Sequence, residues 1–429
     1  MSKNGHKQID SLSRRKFTKR ALTLGGSVLS AGSAPYVFSR TTPVLRVLGT
    51  HVTLQEEIRQ RAMQDLGIQI EFEPAGSAAV LQKGSTKPES FDLYEQWSNS
   101  LNILWQAGSI QGIDRRRIEN WDEINDLTKT GRVTPEAKIG LGDAPYKLLY
   151  VQEDGSLSNA QSDAISFLPY VHNMDSFGYN TNFVEEGVPY ETESWGWLLE
   201  ERFKGKVGII NEPTIGLFDL ALATQAKGLM TFENMGNMSI AELDRLFSIL
   251  ISFKQSGQFS GFWNSVPQSV DFIVNNRVNI QSMFSPGVAT ANGLGTPVTF
   301  AAPKEGYRAW HGVMCLSAKT TGEVADAAYD YMNWWLSGWP GAFIARQGYY
   351  ISNPQRSRPL LSKNEWDYWY DGREATEDLL GTDGNIAVRA GRTRRGGSYS
   401  ERLSKIAIWN TVMDNYDYSV DRWFEFLRA

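Results

Sequence analysis

The 429-residue sequence has little of what a disulfide-stabilised or metal-rich protein needs, since it holds one cysteine and four histidines. The lone Cys315 excludes an internal disulfide. Its apolar neighbours Val313, Met314 and Leu316 predict a buried small side chain rather than a nucleophile. No apolar run of 18 residues occurs after the first forty, so no membrane-spanning helix is expected. Motifs for a serine-hydrolase elbow, a phosphate loop or a zinc helix are also missing, which disfavours an enzyme.

The first forty residues have a different composition from the rest. Arg14 and Arg15 precede an apolar stretch at 21–37 that is diluted by glycine and serine. This pattern is typical of a twin-arginine signal peptide rather than of a membrane span. Residues 1–40 therefore predict export to the periplasm through the twin-arginine translocase.

The remaining chain is acidic. Without residues 1–39 it holds 36 Lys and Arg against 47 Asp and Glu, a net charge near −11. A nucleic-acid-binding protein would need a basic surface to neutralise phosphates, so we expect no nucleic-acid partner. About 390 residues exceed what one hydrophobic core normally serves, so two lobes are expected.

Short apolar segments alternate with helical ones, which predicts parallel sheets flanked by helices. Predicted strands lie at 44–48, 68–72, 91–94, 207–210 and 278–283, and predicted helices at 53–66, 217–226, 325–336 and 400–427. In open parallel sheets, ligands bind at the carboxyl ends of the strands. The loops after Leu48, Tyr94, Ile210 and Met283 are therefore candidate pocket walls.

Five segments in order resemble the family of spermidine/putrescine-type periplasmic binding proteins of ABC importers. They are Phe91-Asp92-Leu93-Tyr94, Ile118-Glu119-Asn120-Trp121, the run from Pro169 to Asn180, the run from Trp195 to Val207, and the run from Lys319 to Leu336. The resemblance implies a two-lobed type II binding-protein fold of the α/β class, with the ligand cleft between the lobes. It assigns residues 41–167 and 301–355 to lobe 1, and residues 168–300 to lobe 2. Residues 356–429 are expected to form a C-terminal helical extension packing on the lobes.

The resemblance also implies a function. The chain is expected to bind a small polar solute by closing its lobes and to present it to an inner-membrane ABC permease. We expect a monomer without catalytic residues, cofactor or resident metal. The lobes should be joined by crossing segments near 167–173 and near 298–302.

Positions carried over from the family, together with polar and aromatic residues of the predicted pocket loops, give the candidate ligand-binding residues. These are Thr50, His51, Gln96, Trp97, Ser98, His172, Asp175, Glu212, Thr214, Phe284, Ser285, Trp310 and His311. Glu212 would face an ammonium group of the solute, and the aromatic residues would cover its methylenes. Carboxylates that the family tends to carry are replaced here by Ile215, Gly216, Phe284 to Gly287, and Trp310 to Gly312. The predicted solute therefore contains amine, hydroxyl or carboxyl groups and resembles a polyamine, an opine or an amino acid.

Three histidines remain after the signal peptide, and the sequence leaves their role open. His51, His172 and His311 could donate hydrogen bonds to the solute or be ordinary loop residues. With Asp175 or Glu212 they could instead bind a divalent transition metal, which would make the chain a metal receptor. A periplasmic hydrolase with paired carboxylates is a further alternative. Arg394 and Arg395 could bind an anion, although a solvated loop is the simpler interpretation.

Overall fold

The computed structural model describes residues 43–429, and the predicted signal peptide at 1–40 lies outside them. Within this range no helix is long and apolar enough to cross a membrane. The strands are β1 Val44–Gly49, β2 Gln69–Pro74, β3 Leu93–Trp97, β4 Ile110–Gln111, β5 Ile113–Asp114, β6 Tyr150–Val151, β7 Leu157–Ser158, β8 Ala164–Ile165, β9 Leu168–Asn180, β10 Val207–Ile210, β11 Phe259–Trp263, β12 Ile280–Met283, β13 Val298–Phe300, β14 Tyr307–Ser317, β15 Tyr350–Ile351, β16 Leu379–Leu380, β17 Ile386–Val388 and β18 Ile406–Trp409. The α-helices are α1 Glu56–Leu66, α2 Ser77–Thr86, α3 Leu101–Gln106, α4 Asp126–Thr130, α5 Pro213–Ala226, α6 Ile240–Gln255, α7 Val266–Val274, α8 Ser285–Gly293, α9 Gly322–Trp335, α10 Trp339–Ala345, α11 Pro354–Ser357, α12 Lys363–Trp369, α13 Tyr399–Leu403 and α14 Tyr416–Arg428.

At each end of the main sheet the strands pair in parallel with one another, as the β-α-β pattern predicts. The path through the sheet is β11-β10-β12-β9-β14-β3-β1-β2. β1 pairs in parallel with β2 and β3 at one end, and β10 pairs in parallel with β11 and β12 at the other. Each end packs helices against its own hydrophobic core, one around Leu45, Leu93 and Trp335 and one around Leu217 and Phe247. The molecule therefore has the two lobes expected from its length.

The centre of the sheet is antiparallel and connects the lobes. β9 pairs with β14 and β15 along its first half and with β12 and β13 along its second half. This confirms a crossing strand close to the predicted 167–173. The second crossing is predicted near 298–302. In the structure residues 298–300 form β13 in the second lobe, and the chain then runs through 301–306 into β14.

The C-terminal region contains strands as well as helices, so the predicted helix over 400–427 is wrong. α13 ends at Leu403, β18 follows, and α14 begins only at Tyr416. The run Ile406-Ala407-Ile408-Trp409 is rich in β-branched and aromatic residues, and it gains ladder hydrogen bonds by pairing in parallel with β14. α14 then packs its apolar face against α6 and α5 of the second lobe.

Candidate functional site

The cleft between the lobes is bridged by a hydrogen bond from a residue that sequence reasoning missed. Ser77 Oγ, at the start of α2 in the first lobe, donates to Glu212 Oε2 in the second lobe at 2.9 Å. The other oxygen of Glu212 accepts from Thr214 Oγ1 at 3.0 Å and from the backbone N–H of Thr214 at 3.4 Å, and this second bond caps α5. The predicted residues Glu212 and Thr214 therefore form one polar unit at the carboxyl end of β10.

The predicted residue Gln96 supports this unit from the first lobe. Its side-chain nitrogen donates to the backbone oxygen of Ser77 at 2.5 Å, and its side-chain oxygen accepts from Tyr94 Oη at 2.6 Å. Both polar atoms of the amide are thus used within the protein. Gln96 holds Ser77 in place rather than presenting free groups to the cleft.

An aromatic cluster lies where the two lobes meet. Trp97 is half-buried and packs against the core of the first lobe and against an apolar cluster of the second lobe. Its ring lies 6.5 Å from that of Trp310, and Trp310 lies 5.6 Å from Tyr349. On the side of the second lobe, Trp263 and Phe284 meet at 5.2 Å. The structure thus brings together three predicted aromatic residues and adds two that the sequence interpretation left out, Tyr349 and Trp263.

The remaining predicted loop residues surround this cluster in different environments. Thr50, Ser98 and Ser285 are buried, and Ser285 Oγ accepts from Asn173 Nδ2 of β9 at 3.4 Å. His51, in contrast, is exposed. Ser285 is therefore a buried contact of the crossing strand β9, whereas the side chain of His51 is open to solvent.

Asp175 is part of a buried ion cluster. Arg308 Nε donates to Asp219 Oδ1 at 2.7 Å, and Arg308 Nη1 lies 3.3 Å from Asp175 Oδ2. Burial raises the pKa of Asp175 to about 7, although the Arg308 guanidinium opposes that rise. Arg308 also donates to Asn410 Oδ1 at 2.9 Å. The cluster therefore ties β9, α5, β14 and the C-terminal region together.

The structure does not bring the three histidines together into one site. His172 and His311 face each other on β9 and β14 with stacked rings 5.1 Å apart, while His51 lies apart from them. His311 Nδ1 donates to the oxygen of Gly312 at 2.8 Å, so its Nε2 accepts from Thr128 Oγ1 at 2.6 Å. Within residues 43–429 no group of three or more His, Cys, Asp or Glu side chains could hold a metal ion. The geometry does not favour the metal-receptor interpretation, because the two buried imidazoles have structural partners.

A second concave site lies between α8 and the C-terminal region. This cavity has a volume of about 420 Å³, and its lining includes five arginines, Arg389, Arg392, Arg394, Arg395 and Arg402. Sequence reasoning treated Arg394 and Arg395 as part of a solvated loop, but Arg394 and Arg402 are buried. In the sequence, the indication of this site is the basic, glycine-rich run at 389–398. The burial of Arg394 within that run depends on contacts with distant segments.

A comparison with known proteins places these features in context. A family model described as bacterial extracellular solute-binding protein matches residues 58–358. No curated protein sequence matches the chain.

Three solved structures illustrate the structural similarity. The spermidine/putrescine ABC transporter substrate-binding protein of Streptococcus pneumoniae has a TM-score of 0.60 at 15% identity, covering 90% of this chain and 99% of that one. The TpPotD lipoprotein of Treponema pallidum has a TM-score of 0.61 at 10% identity, with 90% and 98% coverage. A binding protein of A. tumefaciens R10 in complex with agropinic acid has a TM-score of 0.56 at 12% identity, with 90% and 99% coverage. At these identities the similarity shows the fold, which is the two-lobed fold of periplasmic binding proteins.

Proposed function

Because the chain belongs to the family of bacterial extracellular solute-binding proteins, we propose that it captures a small polar organic solute between its lobes for an ABC-type importer. The family and the fold are those of binding proteins rather than of enzymes. The proposal includes export through the twin-arginine pathway, a monomeric state, and delivery of the solute to an inner-membrane permease.

The hydrogen bond between Ser77 and Glu212 is the observation that carries this proposal. It joins residues from two lobes that have separate cores, and the lobes are connected through the paired strands β9 and β14. Two rigid bodies on a narrow connection are suited to hinge closure around a ligand. The half-buried Glu212 would then bind the solute when the lobes separate and close again.

We propose an amine-bearing solute at this position. A desolvated ammonium group needs a counter-charge and gains from an aromatic wall, and Glu212 with Trp97, Trp310 and Tyr349 offers both. Two similar structures are named for amines or an opine, spermidine/putrescine in one and agropinic acid in the other. Of the two predicted acidic residues, Asp175 is paired with Arg308, whereas Glu212 has no basic partner among the described residues. A solute with a single ammonium group therefore fits better than a long polyamine.

A thermal-shift screen of the mature protein tests the proposal. The panel contains putrescine, spermidine, γ-aminobutyrate, glutamate, agropinic acid, glucose and zinc chloride at equal ionic strength. A ligand present at 100 times its dissociation constant adds about 2.7 kcal/mol to the free energy of unfolding, which is readily measured. Zinc alone as the stabilising ligand would favour the metal receptor, and a panel without any stabilising amine would contradict the amine assignment.

Small-angle scattering on the same samples tests the closure. A stabilising amine should reduce the radius of gyration of the parent protein. An unchanged radius together with a proven ligand would contradict lobe closure while leaving solute binding intact.

A further inference from the structure

The C-terminal region forms one wall of a cavity whose other wall is α8 with β13. Residues 368–369, 387–389, 391–395 and 402 come from the C-terminal side, which lies beyond the segment that matches the family. The lining is mixed, with apolar side chains such as Val288, Val298 and Val388 beside the arginines. A volume of about 420 Å³ is within the range of small-molecule sites.

Arg394 lies in this lining with few polar partners. Its side chain is 9% exposed, and its Nη2 reaches the oxygen of Gly348 at 3.5 Å and Tyr350 Oη at 3.4 Å. The guanidinium also stacks over the ring of Trp369 at 4.5 Å. Among the described residues, no atom accepts a hydrogen bond from its Nε. The contacts therefore orient the guanidinium without neutralising it.

Arg402, on α13, is likewise buried and has few polar partners. It is 1% exposed, and its Nη1 donates to Tyr350 Oη at 2.9 Å. Over residues 43–429, neither its Nε nor the indole Nε1 of the buried Trp369 has an acceptor. Three buried N–H groups of the cavity lining thus lack a partner within the described protein.

The nearby carboxylates are used elsewhere. Glu193 and Glu186 bind Arg395, and Glu401 caps its own helix through Ser398. Burial raises the pKa of Tyr350 while Arg394 and Arg402 lower it, with a net decrease. Even an ionised Tyr350 would balance one of the two buried charges. A buried cation without a counter-charge is strongly disfavoured, so a second negative group is needed.

We propose that this cavity binds a small organic anion whose carboxylate is held by Arg394 and Arg402. The planar guanidinium fork matches a carboxylate, and the indole N–H of Trp369 provides a third donor. The apolar side chains on the wall formed by α8 contact the carbon skeleton of the anion, which favours an organic ligand over inorganic phosphate. Of the predicted cleft residues, this site shares Ser285 alone. It goes beyond the proposed amine site and does not depend on it.

Calorimetric titration of the mature protein with succinate, glutarate, benzoate and phenylacetate tests this site. Each carboxylate is compared with its neutral amide at equal ionic strength, and inorganic phosphate is titrated separately. At least one carboxylate should bind saturably while its amide does not. Arg394→Gln should weaken that binding by about 30-fold or more, as removal of one member of a buried charge pair does.

Two further variants keep the test specific. Arg394→Lys retains the charge but loses the fork, and it should bind more weakly than the parent and more tightly than Arg394→Gln. Arg373→Gln changes an exposed arginine of the same region outside the cavity and should bind within about twofold of the parent. Circular dichroism and thermal unfolding of each variant report on folding.

The results that would overturn the proposal are specific. They are a panel in which no carboxylate binds better than its amide, binding of phosphate alone, or full binding by a folded Arg394→Gln variant. Unchanged carboxylate binding in Glu212→Gln would show that the anion site is independent of the amine site, and loss of carboxylate binding in that variant would contradict a separate site.

Discussion

Ser77 Oγ lies 2.9 Å from Glu212 Oε2, and the two residues come from opposite lobes. The contact is made by a short side chain at the start of α2 and by the capping residue of α5. Each helix is held by its own backbone hydrogen bonds, which do not involve the Ser77–Glu212 contact. A small rotation of one lobe therefore separates the two side chains without unfolding either helix. The bond can therefore break and re-form as the lobes move.

The Glu212→Gln variant should bind an amine solute much more weakly than the parent. The expected loss is about 2–5 kcal/mol, because the ammonium group keeps its desolvation cost but loses its ionic partner. Ser77→Ala is the matched variant and should cost about 0.5–1.5 kcal/mol, as for a neutral hydrogen bond. Titration calorimetry with the amine found in the thermal screen measures both, and equal losses would contradict the assignment of Glu212.

The pH dependence of stability should include a decrease from Glu95, which lies on β3 and accepts from Tyr170 Oη at 3.0 Å. Burial raises the pKa of Glu95 to about 7. The folded state then binds the proton more tightly, so this contribution is full below pH 4.5 and is lost as the pH rises to 7. Relative to the parent, Glu95→Gln should gain about 3 kcal/mol between pH 4.5 and pH 8. Urea unfolding across this range measures the difference, and a pH-independent difference would contradict it.

His311 should contribute with the opposite sign. Burial lowers the pKa of His311 to about 4, so its stabilising contribution is full above pH 6.5 and is lost as the pH falls toward 4. Burial also holds the pKa of His172 well below its ordinary value, and the adjacent His311 adds to that effect. The His311→Gln variant should lose less stability than the parent between pH 6.5 and pH 4, by about 3 kcal/mol. Urea unfolding measures the free energy of unfolding of variant and parent at each pH. If both lose the same amount between pH 6.5 and pH 4, the imidazole of His311 does not titrate as proposed.

The buried cluster around Arg308 should be essential for stability. Arg308→Met leaves Asp219 and Asp175 buried without their cation, which typically costs about 3–5 kcal/mol. The exposed Arg116 pairs with Asp114 at the surface, and Arg116→Met should leave the free energy of unfolding close to that of the parent. Denaturant unfolding at pH 8 compares the two variants. A small effect of Arg308→Met would mean that the carboxylates relax by taking up protons.

Local sequence patterns were sufficient for most of the parallel strands at the ends of the sheet. β1 and β10 follow from short apolar runs and are largely buried, whereas β2 follows from the alternation of apolar and polar residues at 68–72. β11 at Phe259–Trp263 was not predicted. The full length of β9 could not be predicted from the sequence. Buried His, Asn, Asp and Ser side chains at 172–176 interrupt the alternation of apolar and polar residues that is typical of a strand. For the same reason His172 and Asp175 were interpreted as pocket residues, although their partners lie on β14 and on the C-terminal region.

The candidate sites depend still more on distant contacts. The pairing of Ser77 with Glu212 joins residues 135 positions apart, and the burial of Arg402 depends on Tyr350, 52 positions earlier. No spacing rule within one segment connects such residues. Glu212 and Trp97 could be proposed because each follows a strand, where pocket loops are expected.

The position of β18 affects the order in which the molecule can be completed during synthesis. β18 lies beside β14 in the main sheet, yet it is made almost one hundred residues later. Until the ribosome releases residues 406–409, β14 has an open edge at Tyr307 to Ala309, and open edges can pair with other chains. A nascent chain halted near residue 358 would contain nearly the whole segment that matches the family and still expose this edge. Completion of the main sheet therefore depends on C-terminal residues that lie outside the segment matching the family.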